Sequence, residues 1–141
     1  MEMQYFVKPG TDEEVWNAWK ERRMAWYGRI GIRKDKLRFR RHGENELAHY
    51  AKDAFDIEYL FPFGWGEIEG IHNRTDFDLS RHQQFSGKSM QYFDDETKER
   101  FVPHVVEPSA GVDRIALALI CSAYDEETIQ DEKGRAETRV V

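Results

Sequence analysis

Hydrophobic and polar residues alternate along two segments of the chain, which is the pattern of a β-strand that buries one face. Residues 1–7 place Glu2, Gln4 and Phe6 on one face. Residues 53–61 repeat the pattern and predict a second strand. The apolar face of this second strand consists of Phe55, Ile57, Tyr59 and Phe61.

A turn and a further strand follow the second segment. Pro62-Phe63-Gly64 is typical of a turn, and residues 65–71 return beside the preceding strand. We therefore predict a β-hairpin. Glu67 and Glu69 are separated by one residue, so strict alternation predicts that both carboxylates lie on the same face of this strand.

Helical spacing of apolar residues predicts one long helix early in the chain and another late. The early helix begins after Thr11 and continues to about Tyr27, and Thr11 with Glu14 has the spacing of a capping box. The late helix covers about residues 110–124. One stripe of the early helix carries Trp16, Trp19, Arg23, Trp26 and Ile30. We interpret its tryptophans as core residues rather than as a platform for stacking a ligand.

The remaining segments are shorter and more polar. We predict a half-buried strand in residues 33–42, a short helix in 44–52, irregular structure or a short helix in 74–82, and a strand in 101–107. Residues 83–99 are predicted to be mostly loop. Several antiparallel strands combined with two long helices indicate an α+β fold, an antiparallel β-sheet flanked by helices.

The composition fits one folded domain, because 40% of the 141 residues are hydrophobic and 34% are charged. The longest apolar run, Ile115–Cys121, is shorter than the ~20 residues of a membrane-spanning helix, so no membrane association is expected. Glu2 and Gln4 interrupt the apolar N-terminus, so no signal peptide is expected. Cys121 is the single cysteine, which excludes an internal disulfide and a cysteine-rich zinc site. We expect a reducing, cytoplasmic location and no zinc.

The net charge of −6 argues against a small freestanding nucleic-acid-binding protein, which is usually basic. The segment 33–42 is nevertheless basic, and it contains Arg38, Arg40 and Arg41. These arginines either form the solvated face of a strand or contact RNA phosphates, as in tRNA. The sequence leaves both interpretations open.

Acidic and basic side chains occur near the predicted strand ends and turns, namely Glu67, Glu69, Arg74, Glu107 and Arg114. If their strands are neighbours, the carboxylates converge and repel one another unless a cation joins them. That cation would be a substrate ammonium, a metal ion or the two arginines, although each carboxylate is alternatively a solvated surface acid. Arg114 lies in a helix's first turn, where the dipole disfavours a cation. It therefore either binds an anion or an aromatic ring, or pairs with a neighbouring acid.

Four segments in order resemble glycyl-tRNA synthetases of the homodimeric class II type. Residues 1–9 resemble the second strand of motif 2 in these enzymes, and residues 46–53 and 66–79 are similar to two further family segments. Residues 101–114, which include Glu107-Pro108-Ser109-Ala110-Gly111-Val112-Asp113-Arg114, resemble motif 3. The resemblance implies a class II synthetase catalytic core that activates glycine with ATP and transfers it to tRNA(Gly).

The resemblance also implies which residues bind ATP. Arg114 corresponds to the motif 3 arginine that packs on the adenine and approaches the γ-phosphate. Glu67 corresponds to an acid that helps to hold ATP through Mg²⁺, and Glu69 is expected to bind ATP with it. Arg114 and Glu67 are accordingly the expected catalytic residues.

The glycine pocket is implied in the same way. Arg74 would bind the carboxylate of glycine, and Glu2, Glu107 and Ser109 would line the pocket with the acids facing the ammonium. Glycine has no side chain, so such a site must recognise the two charged groups and exclude larger amino acids by close packing.

The boundaries of the resemblance predict a partial enzyme. Residues 1–124 would be a partial catalytic domain, from the second strand of motif 2 to the motif 3 helix, and 125–141 a charged linker or truncated tail. Motif 1, the motif 2 arginine that holds the α-phosphate and an anticodon-binding domain have no counterpart here, so weak or no aminoacylation is expected. The full-length family is a homodimer. The alternative function is a non-catalytic, synthetase-like module that binds an adenylate or RNA.

Overall fold

The computed structural model describes residues 1–43, 49, 51–130 and 134–141. Over these ranges the chain forms three α-helices, which are α1 (Asp12–Arg29), α2 (Phe77–Ser86) and α3 (Val112–Ala123). The strands over the same ranges are β1 (Tyr5–Val7), β2 (Leu37–Arg41), β3 (Asp53–Phe61), β4 (Gly64–Thr75), β5 (Tyr92–Phe93), β6 (Arg100–Phe101), β7 (His104–Ala110), β8 (Glu126–Gln130) and β9 (Ala136–Val140).

Five of these strands form one antiparallel sheet in the order β1, β7, β4, β3 and β2. β3 and β4 are joined by the predicted hairpin, in which Phe61 pairs with Gly64. Gly64 has a φ of +116°, a conformation that glycine adopts far more readily than other residues, so the turn depends on it. The predicted α+β fold, an antiparallel sheet flanked by helices, is confirmed.

α1 and α3 pack against the same face of this sheet. Trp16 of α1 donates its Nε1–H to the carbonyl oxygen of Ile71 at 3.0 Å, and the Tyr59 hydroxyl donates to Ser122 Oγ of α3 at 3.3 Å. Each fully buried large apolar side chain contributes roughly 1.5–3 kcal/mol to stability. The core between helices and sheet contains Trp16, Tyr27, Ile32, Ile57, Tyr59, Phe61, Ile68, Ile71, Val106, Ala110, Ile115 and Ala118. In the described part of the chain no helix combines the length and hydropathy needed to cross a membrane.

The start of α1 differs from the predicted capping box. Thr11 has φ −103° and ψ −4°, whereas a capping residue is usually extended, and no side-chain hydrogen bond among the described residues caps the helix. Thr11 Oγ1 instead donates to the Lys8 carbonyl oxygen at 2.8 Å. Asp12, the first residue of α1, accepts a hydrogen bond from Asn73 Nδ2 at 2.7 Å and ties the helix start to β4. The helix start was predicted correctly, but the capping box was wrong.

A β-bulge in β4 separates Glu67 from Glu69. The pairing register between β3 and β4 shifts at this point, so that Ile68 is an extra residue in β4. A Cβ atom built at Gly70 would lie 3.7 Å from Glu67 Oε1, so the Glu67 carboxylate lies on the Gly70 face of the sheet. Glu69 precedes Gly70 and therefore points to the opposite face. The prediction that both acids share a face is wrong, because strict alternation allows no bulge.

Several other elements differ from their predicted extents. β4 continues to Thr75, and α2 then occupies part of the region predicted as irregular structure or a short helix. Pro103 lies between β6 and β7, where one continuous strand was predicted, because proline cannot donate a backbone hydrogen bond. In residues 125–141, β8 and β9 pair as a separate two-stranded sheet. The short helix predicted for 44–52 falls largely outside the described residues.

Candidate functional site

The face of the sheet turned away from α1 and α3 carries polar side chains, and we call it the polar face. In the strand register, Glu107 lies opposite His72, while Ser109 lies opposite Gly70 and also forms a bridge with Glu2. Directly paired residues of antiparallel strands share a face, so these residues belong to one surface. The polar face includes Glu2, Gln4, Glu67, Gly70, His72, Arg74, Glu107 and Ser109.

Glu107 is the centre of a hydrogen-bond cluster on the polar face. Gln4 Nε2 and Arg74 Nη1 both donate to Glu107 Oε2, at 2.5 Å and 2.9 Å. Gln4 Nε2 also donates to Glu2 Oε1 at 2.8 Å, and Arg74 Nε donates to Asp78 Oδ2 at 2.7 Å. The hydrogen bond to Asp78, with the charge of Glu107, raises the pKa of Arg74 although burial opposes it, so Arg74 stays cationic. One guanidinium and one amide thus hold three carboxylates together.

A cavity of about 300 Å³ lies over this cluster. The side chains of Glu107 and Arg74 are only 6% and 17% exposed, so their charges interact more strongly than they would in water. A more apolar cavity of about 610 Å³ adjoins it, and both are lined by Phe6 and Leu79. The polar lining of the smaller cavity consists of Glu2, Gln4, Arg74, Asp78, His82 and Glu107.

Arg114 and Glu67 form a second group on the same face. Arg114 Nη1 donates to the Glu67 carbonyl oxygen at 2.8 Å and lies 3.7 Å from Glu67 Oε2. Glu67 lies over Gly70, which pairs with Ser109, so this group borders the Glu107 cluster. The side chains of Arg114 and Glu67 are 60% and 50% exposed, which leaves both charges accessible from solvent.

Glu69 is the predicted site residue that the structure separates from the others. Its carboxylate accepts hydrogen bonds from Arg23 Nε at 2.7 Å and from the Tyr27 hydroxyl at 2.6 Å, and the residue is 1% exposed. Burial, and then the charge of Glu69, raises the pKa of Tyr27 far above its ordinary value, so its hydroxyl stays a neutral donor. Burial disfavours the charge on Arg23, but the hydrogen bond and charge of Glu69 raise its pKa overall. This cluster fastens α1 to the sheet.

Arg38, Arg40 and Arg41 of the basic segment lie in β2, and each faces a carboxylate of β3. Arg38 Nε donates to Glu58 at 2.6 Å, Arg41 Nη2 donates to Asp53 at 2.5 Å, and Arg40 Nη1 lies 3.4 Å from Asp56. Cross-strand pairs of this kind stabilise a sheet modestly. They also offset the positive charge that contact with RNA phosphates would require.

Four polar residues near the cavity had no role assigned from the sequence: Gln4, His72, Asp78 and His82. Gln4 lies two residues after Glu2, so strand alternation places it on the same face, and this was the sequence feature that could have identified it. The His72 ring lies against Gly70 on the same face of β4, and a Cβ atom at Gly70 would lie 2.8 Å from His72 Cε1. Burial lowers the pKa of His72, which therefore stays neutral near pH 7. Asp78 lies in the first turn of α2, and its contact with the site depends on how α2 folds back.

The described residues offer limited means of binding a metal ion. Among them, no group of three or more His, Cys, Asp or Glu side chains is arranged to hold a metal. Glu67 supplies a single exposed carboxylate. Such a donor fits Mg²⁺, which proteins often hold through one or two carboxylates together with substrate phosphates and water.

Three curated relatives of this chain are glycine–tRNA ligases. Glycine–tRNA ligase of Treponema denticola is 54% identical over 142 positions, which cover all of this chain and 32% of that protein. The ligase of Chlorobaculum tepidum is 56% identical over 133 positions, covering 94% of this chain and 28% of that protein. The ligase of Thermobifida fusca is 51% identical over 144 positions, covering all of this chain and 31% of that protein. No protein-family model matches the chain.

The chain therefore spans about a third of the length of the curated relatives it matches. The relatives place it in the class of aminoacyl-tRNA synthetases, which are ligases of protein biosynthesis. Within this class, the chain belongs to the glycyl-tRNA synthetase family and corresponds to one region of such an enzyme.

Proposed function

We propose that the polar face forms part of the ATP- and glycine-binding site of a class II glycyl-tRNA synthetase. The observation that carries this proposal is the cluster of Glu2, Arg74 and Glu107 around one small cavity, with Arg114 and Glu67 at its border. Residues 1–124 would be the part of the catalytic domain that contains this site.

The cluster has the charges that recognition of glycine needs. The carboxylates of Glu2 and Glu107 would face the ammonium group, and the guanidinium of Arg74 would bind the carboxylate of glycine. Arg74 already donates to Glu107 and Asp78, so the incoming carboxylate would meet a guanidinium held in a fixed orientation. Ser109, opposite Gly70, would line the pocket near the glycine Cα, where an added side chain would clash.

The Arg114–Glu67 group would bind ATP. The exposed guanidinium of Arg114 suits contact with a phosphate or stacking on the adenine ring. Mg²⁺, which neutralises phosphate charge when bound, would be held by the Glu67 carboxylate together with ATP. Glu69 has no part in this proposal, because its carboxylate is committed to Arg23 and Tyr27 on the other face.

The reaction would be formation of glycyl-adenylate. An oxygen of the glycine carboxylate attacks the α-phosphorus of ATP, the bond to the β-phosphate oxygen breaks, and pyrophosphate leaves. The terminal ribose of tRNA(Gly) then attacks the glycyl carbonyl and AMP leaves. The residues of this chain would contribute by holding the two reactants in line and by stabilising charge.

Binding of tRNA(Gly) is proposed from the family to which the chain belongs. Arg38, Arg40 and Arg41 remain candidates for phosphate contacts, in competition with their cross-strand ion pairs. Homodimer formation and a cytoplasmic location likewise are proposals for the full-length enzyme.

Titration calorimetry with a non-hydrolysable glycyl-adenylate mimic tests the proposed function. We expect the 141-residue chain to bind the mimic with a Kd on the order of micromolar, and Arg74→Ala and Glu107→Ala to abolish this binding. The exposed α1 residues supply matched controls, since Arg29→Ala and Glu21→Ala remove the same charges on the other side of the sheet. Absence of binding at millimolar mimic, or equal losses in the control variants, would refute the proposal.

A further inference from the structure

We infer that Gln4 is a positioning residue that holds Glu2 and Glu107 in the arrangement that receives the substrate ammonium. The inference rests on the proposed function and adds a residue to it. Its basis is that one amide nitrogen, Gln4 Nε2, donates to both carboxylates, at 2.8 Å to Glu2 Oε1 and at 2.5 Å to Glu107 Oε2.

The strand register explains why Gln4 can make both contacts. Tyr5 pairs with Val106, and Glu2 bridges to Ser109, so Gln4 lies opposite Glu107. Glu2 is two residues away and therefore lies on the same face. A side chain at position 4 is thus directed between the two acids by the backbone, and the length of glutamine spans the gap.

The chemistry of the amide suits this place. Two carboxylates this close repel one another, and the arrangement needs donors to hold it before substrate arrives. An amide NH₂ group has two hydrogens and satisfies one oxygen of each acid. Because the amide is neutral, it leaves the negative charge of both acids in place, so they still attract an ammonium ion.

Arg74 acts differently on the same oxygen. Its guanidinium donates to Glu107 Oε2 at 2.9 Å and supplies a positive charge, which reduces the attraction of Glu107 for an ammonium. Gln4 therefore accounts for the geometry of the acids, and Arg74 supplies the cation for the substrate carboxylate. The ammonium would approach the second oxygens, Oε2 of Glu2 and Oε1 of Glu107.

The inference predicts a selective effect on ligands that carry an ammonium group. Gln4→Met keeps the length of the side chain and removes both N–H donors. We expect its affinity for the glycyl-adenylate mimic to fall about tenfold, since hydrogen bonds to charged groups contribute at this level. Affinity for an analogue with hydroxyl in place of the ammonium should stay within about twofold of wild type. The measured quantity is the ratio of the two dissociation constants.

A second variant adds a pH readout. Gln4→Glu replaces the amide donor with a carboxylate that repels Glu2 and Glu107, so we expect weak binding of the mimic at pH 8 and recovery toward pH 5 as the introduced carboxyl takes up a proton and regains a donor. The unsubstituted chain should show a smaller change over this range. Gln130→Met, in β8 outside the five-stranded sheet, is the control for the loss of an amide.

The outcomes separate this inference from the proposed function. If the unsubstituted chain binds the mimic and Gln4→Met weakens both analogues equally, Gln4 has only a structural role and the inference is wrong. If Gln4→Met binds both analogues as tightly as the unsubstituted chain does, the inference about Gln4 is also wrong, while the proposed function stands. If the unsubstituted chain does not bind the mimic, both fail. A thermal unfolding curve for each variant shows whether it is folded at the temperature of the titration.

Discussion

Asn73 donates its side-chain amide to the Asp12 carboxylate at 2.7 Å and so joins β4 to the first turn of α1. Asp12 Oδ1 lies 2.9 Å from His104 Nδ1, which adds β7 to the same contact. Burial disfavours the charge of Asp12, but the hydrogen bonds from Asn73 and His104 outweigh it and lower the pKa to about 2. A single carboxylate thus fastens one helix to two strands that carry site residues.

The lowered pKa of Asp12 predicts how stability depends on pH. Because the folded-state pKa lies below the ordinary value of 3.8, the ionised carboxylate stabilises the fold fully above about pH 5. This stabilisation, about 2 kcal/mol, is lost as pH falls from about 4 to about 2. Asp12→Asn should therefore be less stable by about this amount at pH 7, and the difference should shrink at low pH.

Urea unfolding between pH 2.5 and 7 measures this difference. Asp95→Asn is a suitable control, because the Asp95 side chain is 88% exposed and should change stability little at any pH. A gap between Asp12→Asn and the unsubstituted chain that stays constant down to pH 2.5 would contradict the role given to Asp12.

Glu67 and Glu69 should respond oppositely to substitution. Glu69→Ala leaves the half-buried Arg23 and the buried Tyr27 hydroxyl without their carboxylate and should destabilise the fold by about 3 kcal/mol. Glu67→Ala removes a half-exposed acid and should change stability by less than about 1 kcal/mol, while weakening ATP binding. Chemical unfolding and calorimetry with Mg²⁺ and ATP measure the two effects. If folded Glu69→Ala lost ATP affinity and Glu67→Ala did not, Glu69 rather than Glu67 would be the residue that binds ATP.

The two long helices and the hairpin of β3 and β4 were the most predictable parts of the fold. Residues 53–61 form β3 over the predicted range, because apolar side chains face the core while Asp56 and Glu58 pair with arginines of β2. The placement of Glu2 and Gln4 on one face likewise follows from alternation alone. The resemblance to a known family selected Glu2, Arg74, Glu107 and Ser109, which the fold brings to one surface.

Features that depend on distant contacts were not predictable. The bulge at Ile68 arises from the pairing of β3 with β4, and no residue type in the sequence signals it. The partner of Asp12 is Asn73, which lies 61 residues later in the chain, so local patterns favoured a cap by Thr11 instead. The contacts of Gln4 with Glu107 also join residues far apart in sequence, across a register that only the folded sheet defines.

Gly70→Ala should destabilise the protein through His72. The added Cβ atom would lie 2.8 Å from His72 Cε1, so the half-buried imidazole would have to move against the His42 ring that it meets edge-on. We expect a loss of about 1–3 kcal/mol in the free energy of unfolding, as for other overpacked sites. Gly111→Ala is the control, because its Cβ would meet its nearest neighbour at an ordinary 3.5 Å. The double variant Gly70→Ala/His72→Ala should lose less than the sum of the single changes, and strict additivity would exclude the proposed clash.

Binding of tRNA distinguishes the two interpretations of the basic segment. Because Arg38, Arg40 and Arg41 each face an acid in β3, we expect only weak, salt-sensitive binding that changes little in the triple arginine-to-glutamine variant. The measurement is the slope of log affinity against log salt concentration for the chain and the variant. Three lost phosphate contacts would reduce the magnitude of that slope by about 3, which would assign the arginines to RNA contact instead. An affinity that does not depend on salt would exclude phosphate contact anywhere on the chain.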